Sequence, residues 1–187
     1  MKTVDSRGVF YALLVLLYGA VFSFTACSND DDPSDDPNAK RQYVPKFEFA
    51  ASMTPDLFDV ADITVIYQDV NGVRVSEKIT TRTWFKSIEG KSLPASAGCI
   101  YQFSKKAGFV PTKATYVLGA EVLNKFFVRE STSSDFISVG NISQESITRT
   151  VKPEFIDSVL TIMNGTDFAY KVSLDSNNKP VVQEVDI

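Results

Sequence analysis

Histidine is absent from all 187 residues. That removes imidazole as a general acid or base, as the activator of a serine or cysteine nucleophile and as a metal ligand, so an enzyme would be left with carboxylate, Lys or Tyr chemistry. Cysteine occurs only as Cys27 and Cys99, and tryptophan only as Trp84. An excess of positive charge is also missing: 19 Lys and Arg stand against 23 Asp and Glu, for a formal charge of −4. Neither nucleic acid nor anionic lipid is an expected partner, since both require a basic patch. The one long apolar run, Val9 to Phe24, is interrupted by Gly19 and Ser23. It is too short for a comfortable membrane span.

What is present begins with that run. Lys2 and Arg7 precede it and the small residues Thr25 and Ala26 close it, directly before Cys27. A charged start, an apolar middle and a small-residue end form the pattern of an export signal that is cut away. Phe24-Thr25-Ala26-Cys27 resembles a bacterial lipobox with Phe24 in the place more often held by Leu. The resemblance implies cleavage ahead of Cys27, which becomes the lipidated first residue. A non-lipidated signal cut nearby and an uncleaved anchor are the alternatives. Removing residues 1–26 leaves 161 residues (187 less 26) and moves the formal charge to −5, because Lys2, Arg7 and Asp5 are lost. With Cys27 acylated, Cys99 has no cysteine partner and stability must come from the core.

The stretch Ser28-Asn29-Asp30-Asp31-Asp32 is similar to the acidic signal that Bacteroidales lipoproteins carry after the acylated cysteine. That likeness implies the outer membrane as location, with a lipid anchor and the domain facing the cell exterior. A plain solvated linker is the other reading. Residues 27–42 are expected to be a tether, since Asp30 to Asp32, Asp35, Asp36, Pro33 and Pro37 offer nothing to bury. A flexible chain of that length spans roughly 20 Å.

Residues 43–187 are expected to form one β-domain. Phe47 and Phe49 alternate with Lys46 and Glu48 as on a half-buried strand, and Pro45 suits an edge or a first strand. Thr54-Pro55-Asp56 breaks the pattern. Val60 to Tyr67 is β-branched and aromatic, and Val73 to Thr80 returns as its hairpin partner through Asp69-Val70-Asn71-Gly72. Asp69 and Asn71 also suggest a calcium loop, but two oxygen donors fall short of the five or more such a site needs. The turn reading is preferred, and no metal or cofactor is expected.

Trp84 invites two readings. It could be a stacking platform for a sugar ring, or a core residue between two sheets, and the core is favoured. Cys99 falls on the expected inward face of a strand with Tyr101 and Phe103, as a small buried hydrophobe.

The residues Asp59 to Val65, the Asn71-Gly72 turn, Thr83-Trp84 and Leu93-Pro94-Ala95 together resemble small Bacteroidales surface lipoproteins with an immunoglobulin-like sandwich. The resemblance implies that fold and that address, and brings no catalytic residues with it.

Thr115 to Val128 is expected to be a strand, with a helical turn near Glu121 to Phe127 as the alternative. Phe136 to Val139 is read as short and extended. Pro153, Glu154 and the stripe Phe155, Ile156, Val159, Leu160 and Met163 predict one helix ending at Asn164-Gly165. Asp157-Ser158-Val159 also resembles a short O-glycosylation acceptor, with Ser158 as the modified residue, though Val159 is wanted inside. Phe168 to Leu174 and Val181 to Val185 predict a second hairpin. The expected architecture is mainly β: an antiparallel, immunoglobulin-like sandwich of about seven strands with one helix near the C-terminal end.

Such a chain is expected to act as a non-catalytic binding or accessory module engaging a glycan, a protein or an outer-membrane complex. A surface hydrolase using a carboxylate pair is one alternative, and a structural subunit of an envelope or pilus-like assembly is another.

Overall fold

The computed structural model describes residues 41–144, 148–164 and 167–186. The expected signal sequence, Cys27, the run Ser28 to Asp32, most of the tether and Gly165 lie outside the described residues.

The domain is mainly β, with every strand pair antiparallel and a short helix near its C-terminal end. In chain order the elements are β1 (Tyr43–Met53), α1 (Pro55–Val60), β2 (Ala61–Gln68), β3 (Arg74–Ile79), β4 (Thr83–Glu89) and β5 (Ala95–Lys105). There follow β6 (Tyr116–Leu118), β7 (Ala120–Glu130), β8 (Ile137–Gln144), β9 (Arg149–Val151), a 3-10 turn (Pro153–Phe155), α2 (Ile156–Met163), β10 (Asp167–Leu174) and β11 (Pro180–Glu184). One sheet has the order β4-β1-β7-β8, a second β11-β10-β5-β2-β3, and a small third sheet pairs β6 with β9.

The two larger sheets share a core because their strands alternate. Phe47, Phe49, Ala51 and Met53 of β1 point inward, as do Ile63, Val65 and Tyr67 of β2 and Ala97, Cys99, Tyr101 and Phe103 of β5. Rings meet across the gap: Trp84 of β4 stands edge-on to Tyr101 at 5.9 Å, and Phe126 of β7 lies 4.7 Å from Tyr170 of β10. At one side β8 approaches β11 so closely that a Cβ on Gly140 would sit 3.4 Å from Val182.

Eleven strands in three sheets, among the described residues, replace the expected seven or so. Some strands are too short to show alternation, β6 and β9 having three residues each. The stretch from Thr115 is extended as expected, yet Gly119 divides it between two sheets. A side chain there would meet Thr148, whose Cα lies 2.9 Å from the Cβ position, so only glycine permits the close passage. Thr54-Pro55-Asp56 does more than end a strand. Thr54 caps α1 by accepting from the Leu57 N–H at 3.3 Å, Pro55 takes the first helical position and Asp56 adds negative charge to the first turn.

Both expected hairpins form, and both use the same device. Asp69 Oδ1 accepts from the N–H groups of Asn71 and Val73, each at 2.9 Å, while Asp175 Oδ1 accepts from Asn177 at 2.8 Å and Lys179 at 2.9 Å. The residue that takes positive φ is Gly72 in one loop and Asn178 in the other, so these are three-residue loops with one left-handed position. Asn71 keeps negative φ.

The predicted helix is a 3-10 turn followed by α2. Ile156, Val159 and Leu160 are buried, whereas Phe155 is 54% exposed. The tighter 3-10 winding shifts Phe155 out of phase with the apolar stripe. At the other end Asn164 completes a sheet. Its side-chain amide accepts from Phe103 N–H at 2.6 Å and donates to Phe103 C=O at 2.7 Å. The β10–β5 register runs Asp167 opposite Ile100, so Asn164 falls opposite Phe103 in that register and its amide stands in for a backbone.

The sandwich has two poles. Tyr43, the β7–β8 connection and both Asp-clasped loops lie at one, since Tyr43 pairs with Glu130, and β2 and β10 both run antiparallel to β5. Met53, α1 and the β6–β9 sheet lie at the other, where Thr54 N–H donates to Gly119 C=O at 2.9 Å.

Asn164→Ala should strand both Phe103 groups and lower stability by about 1–3 kcal/mol in urea unfolding. Asn164→Asp should recover only part of the loss, because a carboxylate can accept from Phe103 N–H but cannot donate to Phe103 C=O.

Candidate functional site

Among the described residues, those singled out in the sequence do not converge. Trp84 is 8% exposed and packs between Tyr101 and Tyr67, the latter at 6.3 Å, so it belongs to the core and not to an open face. Its indole N–H finds no hydrogen-bond partner among the described residues. Cys99 is fully buried, and burial, partly offset by the neighbouring Tyr101 hydroxyl, pushes its thiol up to about 12. A thiol held so far above neutrality is no nucleophile. Tyr101 is pushed up in turn by burial and by Cys99, and its hydroxyl has no conventional hydrogen-bond partner. Asn124, fully buried on β7, donates to Tyr170 at 3.4 Å and leaves its carbonyl oxygen unpaired. Among the described residues, the interior therefore holds three unpartnered polar atoms, on β4, β5 and β7.

Asp69 is occupied by its own turn. The Val73 amide, opposed by a desolvation effect and helped by Asn71, holds its carboxyl below the usual range. Asp175 is lowered in the same way by the Lys179 and Asn177 amides. Among the described residues no group of three or more Cys, Asp or Glu is placed to hold a metal ion.

A tighter electrostatic site links α1 to β6. Asp56 accepts from Val117 N–H at 2.7 Å and pairs with the Lys113 ammonium. Burial pushes its carboxyl up, but Lys113 and the Val117 amide outweigh that and hold it below its ordinary value. Tyr116, buried beside it, accepts from Thr112 N–H at 2.7 Å and Lys113 N–H at 3.1 Å. Thr54 Oγ1 donates to Val117 C=O at 2.7 Å and accepts from Gly119 N–H at 3.2 Å. These contacts fix the small sheet to the sandwich.

That sheet forms one wall of an open groove of about 620 Å³. Arg149, Thr150, Val151 and Lys152 line it from β9, and Phe155, Ser158, Val159 and Ile162 from the 3-10 turn and α2. No carboxylate is among these lining residues. Phe155 and Ile162 are 54% and 57% exposed, and Ser158 is exposed beside them while Val159 is buried. Ser158, whose surroundings resemble an O-glycosylation acceptor, stands in the groove wall. The groove was not legible in the sequence. Its only signal there is Arg-Thr-Val, a β-prone tripeptide just ahead of a predicted helix.

No protein-family model, no curated protein and no solved structure matches this chain.

Two measurements check these placements. Trp84→Ala should cost on the order of 3–5 kcal/mol in urea unfolding, and the parent should show blue-shifted emission shielded from acrylamide. Asp56→Asn tests the α1–β6 link. Because Asp56 is lowered in the folded chain, its contribution is present above the ordinary carboxylate value, near pH 4, and fades as pH falls through the folded value. The variant should melt lower than the parent at neutral pH, with the gap closing in acid.

Proposed function

We propose that the protein is a cell-surface lipoprotein whose domain acts as a non-catalytic binding or accessory module for a glycan, a protein or an outer-membrane complex. The observation that carries this reading is the groove between β9 and α2: open, apolar along its walls, rimmed by Arg149 and Lys152, and without a lining carboxylate. Such a surface can hold a ligand but offers no acid–base pair to transform one.

The hydrolase alternative has less support. A carboxylate-pair enzyme needs one carboxyl raised towards neutrality to donate a proton. The four carboxylates whose shifts are resolved, Asp56, Asp62, Asp69 and Asp175, all move down, held by ammonium groups or backbone amides.

In this proposal Cys27 carries the lipid, Ser28 to Asp32 direct the protein to the outer face of the outer membrane, and the relatives are small Bacteroidales surface lipoproteins. The likeness to an immunoglobulin sandwich is one of layers. In that fold, numbering strands in chain order, the sheets run 1-2-5-4 and 3-6-7. Here β1 sits between β4 and β7.

The address is tested first. Cys27→Ala should leave uncleaved, unlipidated precursor, and mature protein still pelleting with membranes would overturn the lipid anchor. Replacing Asp30, Asp31 and Asp32 with Ala should keep the lipid but protect the domain from protease added to whole cells. Function is tested by screening the full chain in detergent on a glycan array and against cell-surface proteins. A hydrolytic product released from any arrayed glycan would overturn the non-catalytic reading.

A further inference from the structure

Among the described residues, strand β9 is paired on one edge only. Its partner β6 takes that edge, with Tyr116 opposite Val151, Val117 opposite Thr150 and Leu118 opposite Arg149. Four consecutive residues, Arg149 to Val151 of the strand and Lys152 just beyond it, line the groove. Successive side chains of a strand point to opposite faces, so a run of neighbours meets one groove only where the groove follows the strand's edge. An unpaired edge presents a row of N–H and C=O groups ready to receive another strand.

The facing wall suits the side chains of such a strand. Phe155, Val159 and Ile162 line the helix side, and two of the three are more than half exposed, an apolar surface that water covers poorly. Phe155 and Ile162 are seven residues apart, about 10 Å along a helix axis. Three strand residues, the length of β9, span about the same distance. The rim is cationic in an otherwise acidic chain. Arg149 and Lys152 are exposed, and neither forms an ion pair among the described residues, whereas Asp157 of α2 is held by Lys105.

We propose that the groove receives an extended peptide segment of a partner protein, which adds to the open edge of β9 as a third strand. Alternate apolar side chains of that segment rest on Phe155 and Ile162, and an acidic side chain meets Arg149 and Lys152. Main-chain hydrogen bonds supply the attachment, while the apolar wall and the cationic rim supply the selectivity. The proposal rests on the binding-module reading and names its partner. A saccharide is less well matched, because the wall is chiefly aliphatic, with one aromatic ring and few paired polar groups to orient hydroxyls.

The test is a selection of random decapeptides displayed on phage against the full chain in detergent, followed by affinity measurement on the recovered peptides. Recovered sequences should alternate apolar residues and carry an acidic one. Their affinity should fall at least tenfold for Phe155→Ser and for the Arg149→Glu, Lys152→Glu double variant, all surface changes whose melting should match the parent. N-methylation of alternate amides along one edge of the peptide should abolish binding, while methylation along the other edge leaves it within threefold. No enrichment over an unrelated β-domain, equal tolerance of methylation on both edges, or undiminished binding to the variants would each overturn the groove assignment. If those results came with a glycan or a protein bound elsewhere on the chain, the binding-module reading would stand and the strand-addition site alone would fall.

Discussion

Strand β1 is hydrogen-bonded on both sides, to β7 from Tyr43 to Met53 and to β4 from Lys46 to Ser52. Its inward residues Phe47 and Phe49 are fully buried and stacked on each other, with Phe126 edge-on to Phe47 at 6.1 Å. A slip of one residue would turn both rings to solvent and bring Lys46 and Glu48 inside, so this strand fixes the register of its sheet. The second sheet follows, because Trp84 and Phe126, set by that register, meet Tyr101 and Tyr170 across the gap.

Much of this was legible where local pattern and tertiary packing agree. The alternation in β1 and β2, the burial of Trp84 and Cys99, the helix over α2 and both hairpin loops follow from period-two apolarity and from turn residues. The failures have physical sources. Phe155 left the predicted stripe because three residues wound as a 3-10 turn. Helix α1 was missed although Thr54-Pro55-Asp56 is a good capping sequence, because six residues are too few to display a helical period. The division at Gly119 depends on Thr148, which is distant in sequence.

The groove was hidden for a related reason. Its walls come from neighbouring segments, but what makes it a groove is that, among the described residues, no second strand pairs with β9, and pairing is a property of the assembled sheet. Residues 149–152 look unremarkable as a string. Placed against β6, which is pinned by Asp56 and Thr54, they become one wall of the groove that α2 faces.

The separation of the two poles has a mechanical consequence. Eleven residues of β1 span about 35 Å from Tyr43 to Met53, and the groove lies at the Met53 pole. The separation between the Tyr43 end of the domain and the groove is thus set by strand length. That span is set by the backbone rise of β1 and not by surface charge, so added salt would leave the separation between Tyr43 and the groove unchanged.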